Sequence, residues 1–525
     1  MVWPSMKQNK RSLRAAIAFG LAMTLALPLA IGLGTTGFLF TPSMAQAAKK
    51  PAQKTSSGKT VPKQSKAPSK IAWGSCSEGT AGVECADFIV PISAVDPTLG
   101  TTRLAIARRK SLAKPRLGVL FVNPGGPGGS AVQLVKTFNR ILKDGIEGAN
   151  TDQFDIIGFD PRGVGASQRI QCSSKLSDIG LNPFTTAKTP EERAELSVRW
   201  SKSCAEKTGP LFGNAGTIDA ADDMERLRIV LGETQISYLG FSYGTVLGSV
   251  YAARYGSRVR AMVLDAAVDP TTYGSTYLLN RAASVESRLR DFSNACAGSS
   301  GCLLSSAGST ADSIAKQITD VLAKVETGTP GGNDRSDQVQ FTRSYLVSVL
   351  EEQATWPEAA SIIKRLNSPT GSNLIDLIPP SKPLLELSDD PEFWTVECTD
   401  AAYPNNADEL LTFRNGVPGI APVLGPVWTS RDDVCVNWPT PKKPLGSLVS
   451  TAARTTIVIG GTKDSRTPLI WSSGLAKAMG NARLLTRDGD GHTSFDRSRC
   501  VREAVGRYLT TFALPDDGTI CPSRN

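Results

Sequence analysis

The chemistry of this 525-residue chain is suggested first by a pentapeptide, Gly240-Phe241-Ser242-Tyr243-Gly244, and by a single histidine, His492. A serine hydroxyl becomes a nucleophile at neutral pH only when a base takes its proton, and with one imidazole in the chain the base must be His492. An imidazole in that role needs an acid to hold its tautomer and stabilise the imidazolium. Asp464 stands 28 residues before His492, in the turn after the apolar run "TTIVIGG". Asp265 and Asp269, after an earlier apolar run, are the alternatives, whereas Asp488 and Asp490 are so near His492 that they are expected to shape its loop. Acyl transfer also needs backbone N–H groups facing the developing oxyanion. Tyr243 follows the nucleophile and supplies one such group. The Gly-rich stretch "NPGGPGGS", residues 123–130, supplies the other, with Gly126 as the candidate. No Gly-Lys-Ser/Thr follows that stretch, which argues against a phosphate loop. The reaction requires no metal or organic cofactor. With one histidine and no Cys-x-x-Cys pair, zinc is a weak reading.

These residues must be held by particular elements. Gln235 to Leu239 alternates as a strand does, and the residues from Tyr243 onward are spaced as on a helix. Ser242 therefore falls on a strand-to-helix turn, which makes Gly-x-Ser-x-Gly a nucleophile elbow, and the chain order serine, acid, histidine agrees with it. From Leu117 onward strand patterns alternate with helix patterns: "LGVLFVNPGG", "FDIIGFDPRGVGAS", the amphipathic "DAADDMERLRIVLG" stopping at Gly232, "VRAMVLDAAVDP" and "RTTIVIGGTKDSRTP". This is the signature of a mostly parallel sheet flanked by helices. Between about Thr271 and Thr440 the strand rhythm is lost and helical patterns take over, as expected of an insertion over the carboxyl edge of the sheet, where open α/β sheets bind ligands.

Charge is unevenly distributed. Residues 1–70 hold eleven of the 58 Lys and Arg and no Asp or Glu, which leaves 47 basic against 49 acidic residues in the remainder. The net charge of +9 is thus a property of the amino-terminal segment, and nucleic acid, which needs a positive folded surface, is excluded as a partner. Four basic residues, an apolar run from Ala15 to Phe40 and Ala45-Gln46-Ala47 form an export signal, with a retained membrane anchor as the other reading. The Lys-, Ser- and Pro-rich stretch that follows reads as a flexible spacer, whose charge also suits an anionic cell wall or membrane surface. Ten cysteines, all beyond the leader, suit disulfides in an exported protein. Their spacing suggests nearest-neighbour bridges: Cys76-Cys85, Cys172-Cys204, Cys296-Cys302, Cys398-Cys435 and Cys500-Cys521. The expected organisation is a signal peptide over 1–47, a linker over 48–70, a first core segment over 71–270, a helical cap over 271–440 and a second core segment over 441–525.

The motifs "NPGGPGGS", "DPRGVGAS", "GFSYG", "GGTKDSRTP" and "GDGH" together resemble the proline iminopeptidase and tripeptidyl aminopeptidase branch of the α/β-hydrolases, and more closely its exported actinobacterial members. The likeness runs from about Ala72 to Cys521. It implies an α/β-hydrolase fold with a helical cap, Ser242, Asp464 and His492 as the triad, and Gly126 and Tyr243 as oxyanion donors. One departure stands out: the iminopeptidase pattern begins His-Gly-Gly-Pro-Gly, and Pro124 occupies the His position here. Relatives carry an acidic residue near the end of the cap. In "DDPEFWTVECTDAAY" the matching candidate is Glu397, with Trp394 and Asp400 nearby, and its role would be to hold a substrate ammonium. The expected activity is that of an exported serine exopeptidase acting near free peptide N-termini. A carboxylesterase or lipase with the same triad is the alternative. A surface-binding protein without catalysis is disfavoured, because every catalytic position is filled.

Overall fold

The computed structural model describes residues 70–523, apart from 77–79, 144–150, 177, 179–188, 328–334, 369–389, 431–432, 453 and 517. The expected signal peptide and nearly all of the expected linker lie outside the described residues. A ten-stranded sheet forms the centre. Its strands are β1 (Gly74–Ser75), β2 (Val83–Pro91), β3 (Thr101–Arg109), β4 (Val119–Asn123), β5 (Asp155–Phe159), β6 (Ile236–Phe241), β7 (Val259–Asp265), β8 (Thr456–Lys463), β9 (Ala482–Asp490) and β10 (Ile520–Pro522). They lie in the order β1-β2-β3-β5-β4-β6-β7-β8-β9-β10. The first pairings, through β3 with β5, are antiparallel, and every pairing from β5 onward is parallel. The antiparallel pair β2 and β3 precedes Leu117, where the alternating pattern was expected to begin.

The central strands are apolar throughout because both faces are covered. Successive side chains still divide between two cores. Val119 and Phe121 of β4 and Met262 and Leu264 of β7 enter one, while Leu120, Val122, Ala261 and Val263 enter the other. The first core also takes residues of α3 (Thr217–Val230), α4 (Gly244–Tyr255) and α11 (Leu469–Met479); the second is closed by α1 (Ala131–Lys143) and α12 (Arg499–Thr511). The remaining core-side helix, α2 (Pro190–Thr208), begins with a capping box in which Thr189 and Glu192 bond each other's backbone. Between β7 and β8 no strand is described. That stretch runs through α5 (Ser275–Ala297), α6 (Ala311–Thr327), α7 (Arg335–Leu350), α8 (Trp356–Asn367), α9 (Pro391–Thr399) and α10 (Ala407–Ile420). The architecture is an α/β-hydrolase fold bearing a largely helical insertion.

Five disulfides pair the ten cysteines as near neighbours: Cys76–Cys85, Cys172–Cys204, Cys296–Cys302, Cys398–Cys435 and Cys500–Cys521. The fourth holds the end of α9, which carries Glu397, to the chain beyond α10. The "DPRG" stretch after β5 is structural. Asp160 accepts from the Ser130 hydroxyl and the Val132 and Ala166 amides, fixing the far end of the Gly-rich loop. Arg162, only 2% exposed, makes two 2.7 Å bonds to Asp223 of α3 and donates to the carbonyls of Ile92 and Asn214. Removing one partner of such a buried pair strands the other. Arg162→Ala is expected to cost about 3–5 kcal/mol in chemical denaturation with the disulfides intact. A loss below about 1 kcal/mol would show that Asp223 finds another partner.

Candidate active site

The elbow is built as its glycines require. Ser242 sits at a φ of 54°, a left-handed conformation unusual for a residue with a side chain. Its amide donates to the Asp265 carbonyl at 3.0 Å, and its own carbonyl accepts from the Thr245 hydroxyl at 2.6 Å. A Cβ on Gly240 would lie 2.5 Å from the Gly244 carbonyl oxygen, and one on Gly244 would lie 2.8 Å from that of Asn123. Neither neighbour is a flexible side chain, so only glycine fits at either end of the turn. The Gly-rich loop presses against the same turn, since a Cβ on Gly125 would come within 2.9 Å of the Ser242 Cβ.

His492 lies in the loop after β9. Its Nδ1 is 2.9 Å from Oδ2 and 3.2 Å from Oδ1 of Asp464, which lies just beyond β8. Asp464 is buried and also accepts from the amides of Arg466 and Thr467, each at 2.9 Å, and from the Thr467 hydroxyl at 2.9 Å. Burial alone would raise its pKa. The neighbouring imidazole and the Thr467 bonds outweigh that effect and hold the carboxyl below its usual range.

The two alternative acids are occupied elsewhere. Asp265 accepts from the amides of Ser494 and Phe495 at 2.9 and 2.8 Å, so it anchors the loop that presents His492. Burial pushes its carboxyl up to about 6. Asp269 caps the turn at Thr271. As expected of residues beside the histidine, Asp488 accepts from Thr462 and Asp490 from the Gln353 amide, which ties the loop to the insertion. Arg487 supports this loop from inside, donating to the carbonyls of Asp490, Gly491 and Thr493. Arg487 carries no local sequence signal, because its acceptors gather only when the loop folds back over β9. Thr467, by contrast, is readable as a turn residue three positions after an aspartate.

Ser242, His492, Thr467, Gly126, Tyr243 and Glu397 all line one cavity of about 550 Å³. Among the described residues neither the Gly126 nor the Tyr243 amide has a protein acceptor, leaving both for a ligand. The Tyr243 ring is buried and its hydroxyl meets Thr217 Oγ1, which in turn bonds Asp400 just after α9. Asp400 thus fastens the insertion beneath the elbow, and burial pushes it up to about 7. The arrangement suits attack by a hydroxyl on a carbonyl, with proton transfer through an imidazole and two amides facing the oxyanion. Among the described residues no group of three or more His, Cys, Asp or Glu is placed to hold a metal ion.

Glu397, on α9, lines the same cavity as Ser242. It is 4% exposed, and its Oε2 is buried without a hydrogen-bond partner among the described residues. Burial, reinforced by Asp400 and opposed by Arg281, pushes its carboxyl up to about 8.

Known proteins fit this picture. Residues 421–521 match the family model described as TAP-like protein. The chain is 28% identical to the serine protease Hip1 of Mycobacterium tuberculosis, over 84% of this chain and 87% of that one. It is 27% identical to a tripeptidyl aminopeptidase of Streptomyces lividans, over 82% of each. With a protein named carboxylesterase B from Mycobacterium tuberculosis it shares 30% identity over 97% of both chains. The chain belongs to the tripeptidyl-aminopeptidase-like branch of the α/β-hydrolases. With Pro124 at the position of the iminopeptidase-type histidine, the Gly126 and Tyr243 amides still lack a protein acceptor among the described residues.

Two predictions follow from the carboxylates. Asp464→Asn is expected to lower kcat by about 10⁴, because an amide favours the wrong imidazole tautomer. Asp265→Asn keeps an oxygen for both loop amides and is expected to cost less than about tenfold; a reversed ranking in steady-state kinetics would exchange their roles. For Glu397, the unfolded chain loses its proton near the ordinary value of 4.5 while the fold holds its proton to about 8. Stability therefore falls as pH rises through that window. Glu397→Gln is expected to melt higher than wild type at pH 8, with a gap that closes toward pH 5. A gap independent of pH would mean that Glu397 is not the titrating group.

Proposed function

We propose that this protein is an exported serine exopeptidase that releases short peptides from free N-termini, tripeptides being the favoured product. Ser242, deprotonated by His492, attacks the scissile carbonyl; the amides of Gly126 and Tyr243 hold the oxyanion; His492 returns the proton to the leaving amine. Water then hydrolyses the acyl-enzyme by the same route. Asp464 keeps Nδ1 of His492 protonated throughout.

The observation that carries the peptidase reading is the buried Oε2 of Glu397, without a hydrogen-bond partner among the described residues, in the cavity of Ser242 and His492. Keeping an acid there has a stability cost, which is offset when Glu397 releases its proton to solvent and pairs as a carboxylate with a substrate ammonium. An ester site has no need of such a group. The names of the Hip1 and tripeptidyl aminopeptidase relatives agree with a peptidase, and the carboxylesterase B relative supports the second reading, an esterase with the same triad. Five disulfides support an oxidising compartment outside the cytosol.

The deciding experiment is mass spectrometry of products from a pool of free and N-acetylated peptides. Wild type is expected to shorten only free N-termini, by a constant number of residues. Ser242→Ala and His492→Ala should each lose about 10⁴ in turnover while remaining folded. Cleavage of esters with no peptide cut would move the function to esterase, and cutting of acetylated peptides would remove the ammonium from recognition.

A further inference from the structure

The cavity contains a second charged group for which the reaction above has no use. Arg281, on the second turn of α5, lines the cavity together with Glu397, Tyr273 and Tyr277. Its guanidinium carbon lies 4.1 Å from the centroid of the Trp428 ring. Its Nε is nevertheless buried without a hydrogen-bond partner among the described residues. The other arginine in the wall, Arg466, differs: Glu351 holds it through bonds of 2.9 and 3.0 Å. Asp390 also lines the cavity, but it is exposed, so solvent screens its charge.

The cavity wall therefore presents one acidic and one basic group, each with a buried polar atom unsatisfied. Their charges interact, since Arg281 opposes the upward shift of Glu397. Glu397 holds its proton to about 8, so near neutrality it gives Arg281 no opposite charge, and once it ionises to pair with a substrate ammonium its carboxylate is already engaged. A partly buried guanidinium left without an opposite charge is unfavourable. A ligand bringing only a cation satisfies one of the two groups. A ligand bringing a cation and an anion a few bonds apart satisfies both, and a planar guanidinium is well suited to a carboxylate.

Building on the exopeptidase reading, we propose that Arg281 is a specificity-determining residue that pairs with the carboxylate of an acidic side chain close to the substrate's free N-terminus, while Glu397 holds the ammonium. The preferred substrates are then peptides with Asp or Glu among the residues released.

The test compares peptides differing only by Asp against Asn, or Glu against Gln, at each of the first three positions. Their kcat/KM is measured with wild type, Arg281→Gln and Arg281→Lys, each shown to be folded by circular dichroism and melting. The same peptides are titrated calorimetrically into Ser242→Ala protein with and without Arg281→Gln. Wild type is expected to favour the acidic peptide at one position by about tenfold or more. Arg281→Gln should bring that ratio to about one, mainly through KM, and Arg281→Lys should restore part of it. Equal treatment of acid and amide by wild type, or a preference that survives in Arg281→Gln, overturns the proposal. So does a loss in Arg281→Gln that is uniform across all peptides, which would assign Arg281 to a backbone carbonyl. If wild type cuts no peptide, the exopeptidase reading has failed; the calorimetric ratio then still decides the role of Arg281.

Discussion

The left-handed backbone of Ser242 is the constraint on which the rest of the site depends. That conformation is unfavourable alone and persists because its surroundings leave no other path. Gly240 and Gly244 bring β6, α4 and the Asn123 backbone closer together than any side chain would allow. The Asp265 carbonyl holds the Ser242 amide, and the Asp265 carboxylate holds the loop that carries His492. One residue at the end of β7 thus positions both Ser242 and the loop of His492. The parallel sheet makes this possible, because adjacent strands ending at the same edge deliver their following loops to one place.

A second tension runs through the cavity. Glu397 and Asp400 are buried carboxyls with raised pKa values, placed one helical turn apart at the end of α9. They differ in what satisfies them. Asp400 is bonded by Thr217 and, through it, reaches the ring of Tyr243, so it serves to attach the insertion to the elbow. Glu397 has one oxygen left over and faces the space where a substrate would sit. A fold optimised for stability alone would put an apolar residue there. The Cys398–Cys435 disulfide, adjacent in sequence, keeps α9 from relaxing away from the cavity and relieving that burial.

Much of this was legible in the chain. Gly-x-Ser-x-Gly between a strand pattern and a helix pattern, a single histidine and an aspartate in the turn after the last strong strand run are local features, and the chemistry of a serine nucleophile restricts which residues can answer it. The mostly parallel sheet followed from apolar runs alternating with amphipathic ones. The antiparallel β2 and β3 were less visible, because their alternation is broken by Arg103, Arg108 and Arg109, whose charges are met by Asp87, Glu84 and Asp152.

What the sequence determined by itself is therefore the candidate reacting groups and the turn types that carry them, since both depend on residue type and on neighbours a few positions away. Only the tertiary structure decided which of three aspartates reaches the imidazole, that Arg487 supports the histidine loop, and that Arg281 and Glu397 share a cavity although 116 positions separate them. The physical reason is that a charge is assigned its role by what surrounds it in space. Burial, an opposing charge or an unmet hydrogen bond arises only when distant segments pack together, and no local spacing records it.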